Sequence, residues 1–224
     1  MDFDFTDEQQ SLRDAVRRWV DKGFAFERRH ALARAGGWTR ALYAELAAIG
    51  LTGLVVPARH GGLGLGAVEA MVVCEELGRG LVNAPYVHGA LVAPALLAAA
   101  PAALQAAWLP RMAGAEALVV LAHQERGARY ALYPGGTEAV ARAGGHVLTG
   151  SKSIVPAGDE ADAYIVPARL AAGAAEAAPV GLFLVDKAAA GLTLRGYPTQ
   201  DGARAAELTL RETPAALVAA AGRE

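Results

Sequence analysis

The residues best suited to chemistry lie in one short polar segment, His123-Gln124-Glu125-Arg126-Gly127-Ala128-Arg129, which follows an apolar run. Arginine presents a planar fork of N–H donors, so Arg126 and Arg129 could bind a pyrophosphate or a carboxylate in a bidentate manner. The alternative is that both are solvated loop charges. Two interpretations are also open for His123. It contacts a ligand, or it is a barrel residue whose ring makes one hydrogen bond.

Other catalytic patterns are absent from the sequence. It contains neither a G-x-S-x-G elbow nor an H-E-x-x-H pair, and its five histidines are too scattered to indicate a metal site. The glycines of residues 60–66 do not follow the G-x-G-x-x-G spacing of a dinucleotide loop, so we interpret them as a turn between helices. The adjacent Glu75 and Glu76 would point in different directions on a helix, which argues against a joint role in acid–base catalysis.

Composition narrows the class of protein. Of the 224 residues, 54% are hydrophobic and 20% are charged, which is typical of a folded chain with a sizeable core. A net charge of -2 gives no electrostatic basis for nucleic-acid binding. Cys74 is the only cysteine, so an intramolecular disulfide is impossible. The N-terminus is acidic and no apolar run reaches the length of a membrane span, so we expect a cytoplasmic protein.

Hydrophobic periodicity predicts helices in the first half of the chain. Thr6 and Gln9 form a capping box ahead of a helix over residues 7–21. A second helix is predicted from Thr39 to Ile49, with Gly50 as its left-handed cap. Further helices are predicted over three segments: 67–77, 87–99 and 102–112.

From about Glu116 the pattern changes to short strands. Apolar runs separated by Gly and Pro are typical of a small barrel or sandwich, and Gly144-Gly145 is suited to a tight hairpin. The predicted strands cover residues 117–122, 139–143, 146–149, 163–167, 181–186, 192–194 and 206–210. Segregated helices and strands indicate an α+β multidomain chain. We predict a helical domain at 1–115, a β-domain at 116–217 and the start of a connection at 218–224.

Several motifs occur in the order found in one flavoenzyme family. The motifs are Phe5-Thr6-Asp7-Glu8-Gln9-Gln10, Gly61-Gly62-Leu63-Gly64, Glu75-Glu76-Leu77-Gly78-Arg79, Leu109-Pro110-Arg111-Met112-Ala113-Gly114, the 121–130 segment, Gly150-Ser151-Lys152 and Leu182-Phe183-Leu184-Val185-Asp186. Together they make nearly the whole chain resemble the helical and middle β-domains of acyl-CoA dehydrogenases. Residues 122–130, 196–202 and 204–206 further resemble the branch of pimeloyl-CoA dehydrogenase small subunits.

The resemblance implies FAD as cofactor and an acyl-CoA thioester as substrate, with dicarboxylic acyl groups included. The family reaction removes the α-proton of the thioester and passes a hydride from the β-carbon to flavin N5. The resemblance assigns the flavin contacts to Leu121, His123, Gln124, Arg129, Ile154 and Pro156, with Glu125 in the same loop. It assigns the substrate contacts to Tyr130, Val87 and Leu91.

Two of these positions depart from the family pattern. An aromatic residue and, two residues later, a hydroxyl residue usually contact the flavin, but here the positions hold Ile154 and Pro156. Proline has no N–H, so donors would have to come from the backbone of Val155 or Ala157. This departure leaves a second hypothesis open, in which the chain is a non-catalytic partner subunit of a heteromeric dehydrogenase.

The resemblance also implies features that the sequence itself does not supply. The family's catalytic carboxylate lies in a C-terminal four-helix bundle, which is expected to be absent from this chain, so no residue of the chain is assigned as the catalytic base. The implied partners are an electron-transferring flavoprotein and other dehydrogenase subunits in a homo- or hetero-oligomer. A cleft lined by residues 121–130 and 154–157 is the corresponding structural expectation, together with exposed apolar surface.

Overall fold

The computed structural model describes residues 4–129, 131–132, 134–170 and 179–220. Its first half is helical. The helices are α1 (Asp7–Gly23), α2 (Phe26–Arg34), α3 (Arg40–Ala48), α4 (Ala67–Arg79), α5 (Ala93–Leu97) and α6 (Ala102–Ala113). A π-helical turn over Val87–Val92 leads directly into α5. In the described residues, no helix is both long and apolar enough to cross a membrane.

The ends of the predicted helices follow from their capping residues. The Thr6 hydroxyl oxygen accepts a hydrogen bond from the Gln9 backbone N–H, and the Thr6 backbone N–H donates one to the side-chain oxygen of Gln9, which confirms the capping box of α1. Thr39 caps α3 through its side-chain oxygen alone, which accepts a hydrogen bond from the Leu42 backbone N–H. Gly50 has a φ of 81°, the left-handed conformation that the sequence predicted at this position. The segment over 60–66 is a turn, with left-handed Gly61 and Gly64.

Two helical features differ from the sequence-based expectation. The helix α2 was not predicted, because none of its residues is buried and it shows no apolar stripe to read. The segment predicted as one helix from residue 87 to 99 is instead the π-helical turn followed by α5. Pro94 has no N–H to donate to the carbonyl of Ala90, so a regular α-helical ladder cannot continue through this point.

The second half is a barrel-like sheet, as predicted. Its strands are β1 (Val119–Leu121), β2 (Glu138–Arg142), β3 (Gly145–Pro156), β4 (Ala163–Leu170), β5 (Val180–Asp186), β6 (Leu192–Pro198) and β7 (Arg204–Ala219). The order β4-β2-β3-β7-β5 closes because β5 also pairs with β4. β1 adds to β4, and β6 adds to β7. Closure leaves most strand edges paired, which removes sites for unwanted strand addition.

The helices and the barrel pack together through two clusters of buried hydrophobic side chains, to which both parts contribute. A single cluster of buried side chains contains Leu42 and Leu46 of α3 together with Val120, Tyr164 and Phe183 of the barrel. Polar contacts also join the two parts. Arg40 of α3 forms a 3.0 Å ion pair with Asp162, whose carboxylate accepts a hydrogen bond from the backbone N–H of Leu118. The two halves therefore hold a fixed relative position, which a site between them requires.

Candidate functional site

A cleft of about 580 Å³ lies between the helices and the barrel. We call it the helix–barrel cleft. Its helical wall includes Trp38, Cys74, Leu77, Tyr86, Val87 and His88, and its barrel wall includes Ile154, Pro156, Ala157, Thr199, Asp201 and Arg204. Its volume falls within the range of small-molecule sites. Burial lowers the pKa of His88, which therefore stays neutral at pH 7.

A second cleft, of about 590 Å³, shares Ile154 with the first. We call it the loop cleft. Its lining residues are Gln124, Glu125, Arg126, Arg129, Ser153, Ile154 and Glu207. The predicted residues Gln124, Arg129, Ile154, Pro156 and Val87 therefore line two neighbouring clefts, and Ile154 is common to both.

Ile154 has an unusual backbone conformation. Its φ is 51°, and the pairing of β3 with β7 shifts register between Lys152 and Val155, which marks an irregularity in the ladder. A β-branched residue is strained in the left-handed region, by roughly 1–3 kcal/mol. Ile154 lies at this irregularity and is 55% exposed. Backbone strain that presents an apolar side chain to two clefts is typical of a functional position.

The loop that carries His123 to Arg129 is fixed by a buried ion pair. Lys152, which has no exposed side-chain surface, lies 2.8 Å from the carboxylate of Glu125. The same carboxylate accepts hydrogen bonds from the backbone of Gly135 and Gly136 and from the Thr137 hydroxyl. Burial alone would raise the pKa of Glu125, but these donors outweigh it and hold the pKa at about 2. Glu125 therefore stays ionised and serves to hold the loop in place.

Three of the predicted residues lie outside both cleft linings, and one is not described. Leu121 is the half-buried end of β1 and packs against core residues. A ring nitrogen of His123 lies 2.8 Å from the carbonyl of Leu132. Leu91 packs against the main core. Tyr130 lies outside the described residues.

The helix–barrel cleft also contains residues that the sequence did not single out for function. Arg204 is the only arginine or lysine of its described lining, and it forms a 2.5 Å ion pair with Asp159. Trp38 and Tyr86 carry buried polar atoms that have no hydrogen-bond partner in the described residues. No motif marks these positions. They come together only through the packing of the segment before α3, the 83–92 segment and the strand β7.

Comparison with known proteins agrees with this architecture. Residues 6–116 match the family model described as acyl-CoA dehydrogenase, N-terminal domain. Benzylmalonyl-CoA dehydrogenase of Aromatoleum aromaticum is 30% identical over 201 residues, covering 87% of this chain and 51% of that protein. The ChsE4-ChsE5 complex from Mycobacterium tuberculosis superposes with a TM-score of 0.85 at 27% identity, over 99% of this chain and 59% of that one.

A solved acyl-CoA dehydrogenase from Bacillus anthracis, complexed with FAD, has the same fold. Its TM-score is 0.83 at 21% identity, over 98% of this chain and 38% of that one. A helical part followed by a barrel is thus the fold that this chain shares with that structure. The chain belongs to the acyl-CoA dehydrogenase family. It spans about half the length of the curated relatives that it matches.

Proposed function

We propose that this chain is an FAD-binding subunit of an acyl-CoA dehydrogenase, with FAD held around Ile154 and the acyl group in the helix–barrel cleft. The observation that carries the proposal is the exposed pair of apolar side chains at the cleft. Val87 is 46% exposed on the helical wall and Ile154 is 55% exposed on the barrel wall. Apolar surface displayed at a concave site favours a flat hydrophobic ligand.

The residues present fit a flavin in most respects. Ile154 supplies an apolar contact for a ring system. The side chains of Gln124 and Arg129 have no partner in the described residues and supply donors in the loop cleft. Pro156 offers neither a hydroxyl nor an N–H, and the N–H of Ala157 already donates to the carbonyl of Arg204 at 2.8 Å. We therefore assign the polar contacts of the ring to Gln124 and Arg129.

Each group has a defined task in this arrangement. When bound, FAD supplies the hydride acceptor for α,β-dehydrogenation of the thioester. Ile154 and Val87 exclude water from the space between the two walls, because both present only carbon to it. The Glu125–Lys152 pair holds Gln124 in place, since it fixes the loop on which Gln124 lies. We assign the role of catalytic base to none of the described residues.

The proposed substrates include thioesters of dicarboxylic acyl groups. The name of benzylmalonyl-CoA dehydrogenase refers to a dicarboxylic acyl group, in line with the resemblance to the pimeloyl-CoA branch. A second carboxylate in the cleft would meet Arg204, whose Nη1 has no partner in the described residues. We extend the proposal to an electron-transferring flavoprotein as electron acceptor, to assembly with other dehydrogenase subunits and to a cytoplasmic location.

The proposal is tested by adding butyryl-CoA to the FAD-loaded protein while the visible spectrum of the flavin is recorded. We expect a saturable spectral change, because an acyl group in the helix–barrel cleft removes water from the flavin environment. Val87→Asp places a charge on the cleft wall and should weaken the apparent affinity by about tenfold or more. Val68→Asp is the matched control, since Val68 is 44% exposed and lines neither cleft. Equal responses from both variants would contradict the assignment.

A second candidate function is a non-catalytic subunit that pairs with an active dehydrogenase. Pro156 favours it, because this position cannot donate to a flavin, and so does the similarity to the ChsE4-ChsE5 complex. On this alternative, the FAD-loaded wild type gives no spectral response to butyryl-CoA alone. Adding a dehydrogenase partner subunit would restore the response, while Val87→Asp and Val68→Asp would then behave alike.

A further inference from the structure

Three buried polar atoms without partners lie together at the inner wall of the helix–barrel cleft. They are the hydroxyls of Tyr43 and Tyr86 and the indole N–H of Trp38, none of which has a hydrogen-bond partner in the described residues. Tyr43 is 1% exposed, Tyr86 3% and Trp38 7%. A buried donor without a hydrogen-bond partner lowers the stability of the fold, so three such donors at one site need an explanation.

The three side chains form one contiguous group. The rings of Trp38 and Tyr43 meet edge-on with centroids 5.9 Å apart. The hydroxyls of Tyr43 and Tyr86 are electrostatic neighbours, and Cys74 lies beside Tyr86. Gly89 is part of the same group, because a Cβ there would lie 2.8 Å from the Tyr43 hydroxyl and 2.3 Å from Leu118. Only glycine at position 89 allows the Tyr43 hydroxyl to occupy this place.

The group faces the helix–barrel cleft through two of its members. Trp38 and Tyr86 both belong to the cleft lining, whereas Tyr43 packs behind them. Burial raises the pKa of both tyrosine hydroxyls, so they remain protonated and able to donate. Since the indole N–H is a donor only, the partner that would satisfy the group is an acceptor.

We propose that Tyr86, supported by Tyr43 and Trp38, recognises a hydrogen-bond-acceptor oxygen on the distal part of the acyl group. The inference rests on the proposed function, since it takes the acyl group to lie in this cleft. Tyr86 is the tyrosine of the group that belongs to the cleft lining, so its hydroxyl is the one assigned to the ligand. A carbonyl and a carboxylate both carry such an oxygen. A purely hydrocarbon acyl group would leave all three donors unpaired, so this site selects against it.

The first test measures the hydroxyls without any ligand. Tyr86→Phe and Tyr43→Phe remove an unpaired donor and keep the ring, so each should raise the melting temperature by about 2–4 °C. Tyr164→Phe is the matched control, because its equally buried hydroxyl donates to the carbonyl of Gly158 at 2.7 Å. Tyr164→Phe should lower the melting temperature. A drop of the same size in Tyr86→Phe would mean that its hydroxyl already has a partner and would overturn the inference.

The second test compares three acyl-CoA probes of equal chain length by calorimetric titration: hexanoyl-CoA, 5-oxohexanoyl-CoA and adipoyl-CoA. We expect at least one oxygenated probe to bind about tenfold more tightly than hexanoyl-CoA, and Tyr86→Phe to abolish that advantage. The two oxygenated probes separate a carbonyl from a carboxylate. If hexanoyl-CoA binds and neither oxygenated probe gains, this inference alone fails. If no probe binds to the wild type, the proposed function fails with it.

Discussion

Lys152→Met is expected to lower the free energy of unfolding by roughly 3–5 kcal/mol, because it breaks a buried ion pair and leaves one charge behind. That charge is the carboxylate of Glu125, which stays in a buried site without its cation. Glu125 also accepts hydrogen bonds from the backbone of Gly135 and Gly136, and these bonds weaken if its side chain moves away from the site. The loop that carries Gln124 should therefore lose its fixed position. Urea unfolding measures the loss. Lys187→Met, at an exposed lysine, should change stability by less than about 1 kcal/mol.

The pH dependence of this variant gives a second readout. In the wild type the pKa of Glu125 is about 2, below its ordinary value of 4.5. Its contribution to stability is therefore complete above about pH 4.5 and is lost as the pH falls towards 2. In Lys152→Met the unpaired carboxylate gains by taking up a proton, so stability should rise as the solution is acidified from neutral pH. Parallel pH profiles for the two proteins would rule out the ion-pair account.

Gly37→Ala is expected to destabilise the protein by about 2–4 kcal/mol and to open the helix–barrel cleft. Gly37 has a φ of 102°, and a Cβ added there would lie 2.4 Å from the carbonyl oxygen of Gly202 in the β6–β7 hairpin. Neither backbone can yield without parting the helices from the barrel. The nearby hydrogen bond from Asn83 to the carbonyl of Asp201, 2.9 Å long, should weaken as well. Thermal unfolding and FAD affinity both report the change.

Gly36→Ala separates backbone strain from this close contact. Gly36 has a φ of 103°, but the nearest atom to an added Cβ is a guanidinium nitrogen of Arg204, 3.8 Å away. It therefore carries the strain without the clash and should cost only about 1 kcal/mol. Equal losses in the two variants would show that contact with Gly202 contributes nothing to holding the cleft.

Local signals in the sequence predicted much of the fold. The capping residue Thr6, the left-handed Gly50 and the Gly144-Gly145 hairpin each act within a few residues, and all are present in the structure. Helix α2 escaped prediction because it buries none of its side chains, so its sequence carries no apolar period. The π-helical turn before Pro94 was missed because periodicity does not distinguish it from an α-helix.

The candidate site was predictable only in part. The resemblance to the family predicted Ile154, Pro156 and Val87 as site residues, and all three line one cleft of the structure. The Glu125–Lys152 pair joins residues 27 positions apart, and it depends on the closure of the barrel. The orphaned hydroxyls of Tyr43 and Tyr86 could not be foreseen, since an unpaired group is defined by what surrounds it after folding.

The central claim is that FAD binds around Ile154, and fluorescence titration of FAD with the purified protein tests it most directly. We predict saturable quenching for the wild type and at least tenfold weaker binding for Ile154→Asp, which places a charge where the ring would lie. Leu63→Asp is the control, since Leu63 is 52% exposed and lines neither cleft. Its FAD affinity should stay within about twofold of the wild type. Absence of saturable binding, or equal affinities for Ile154→Asp and the wild type, would contradict the claim.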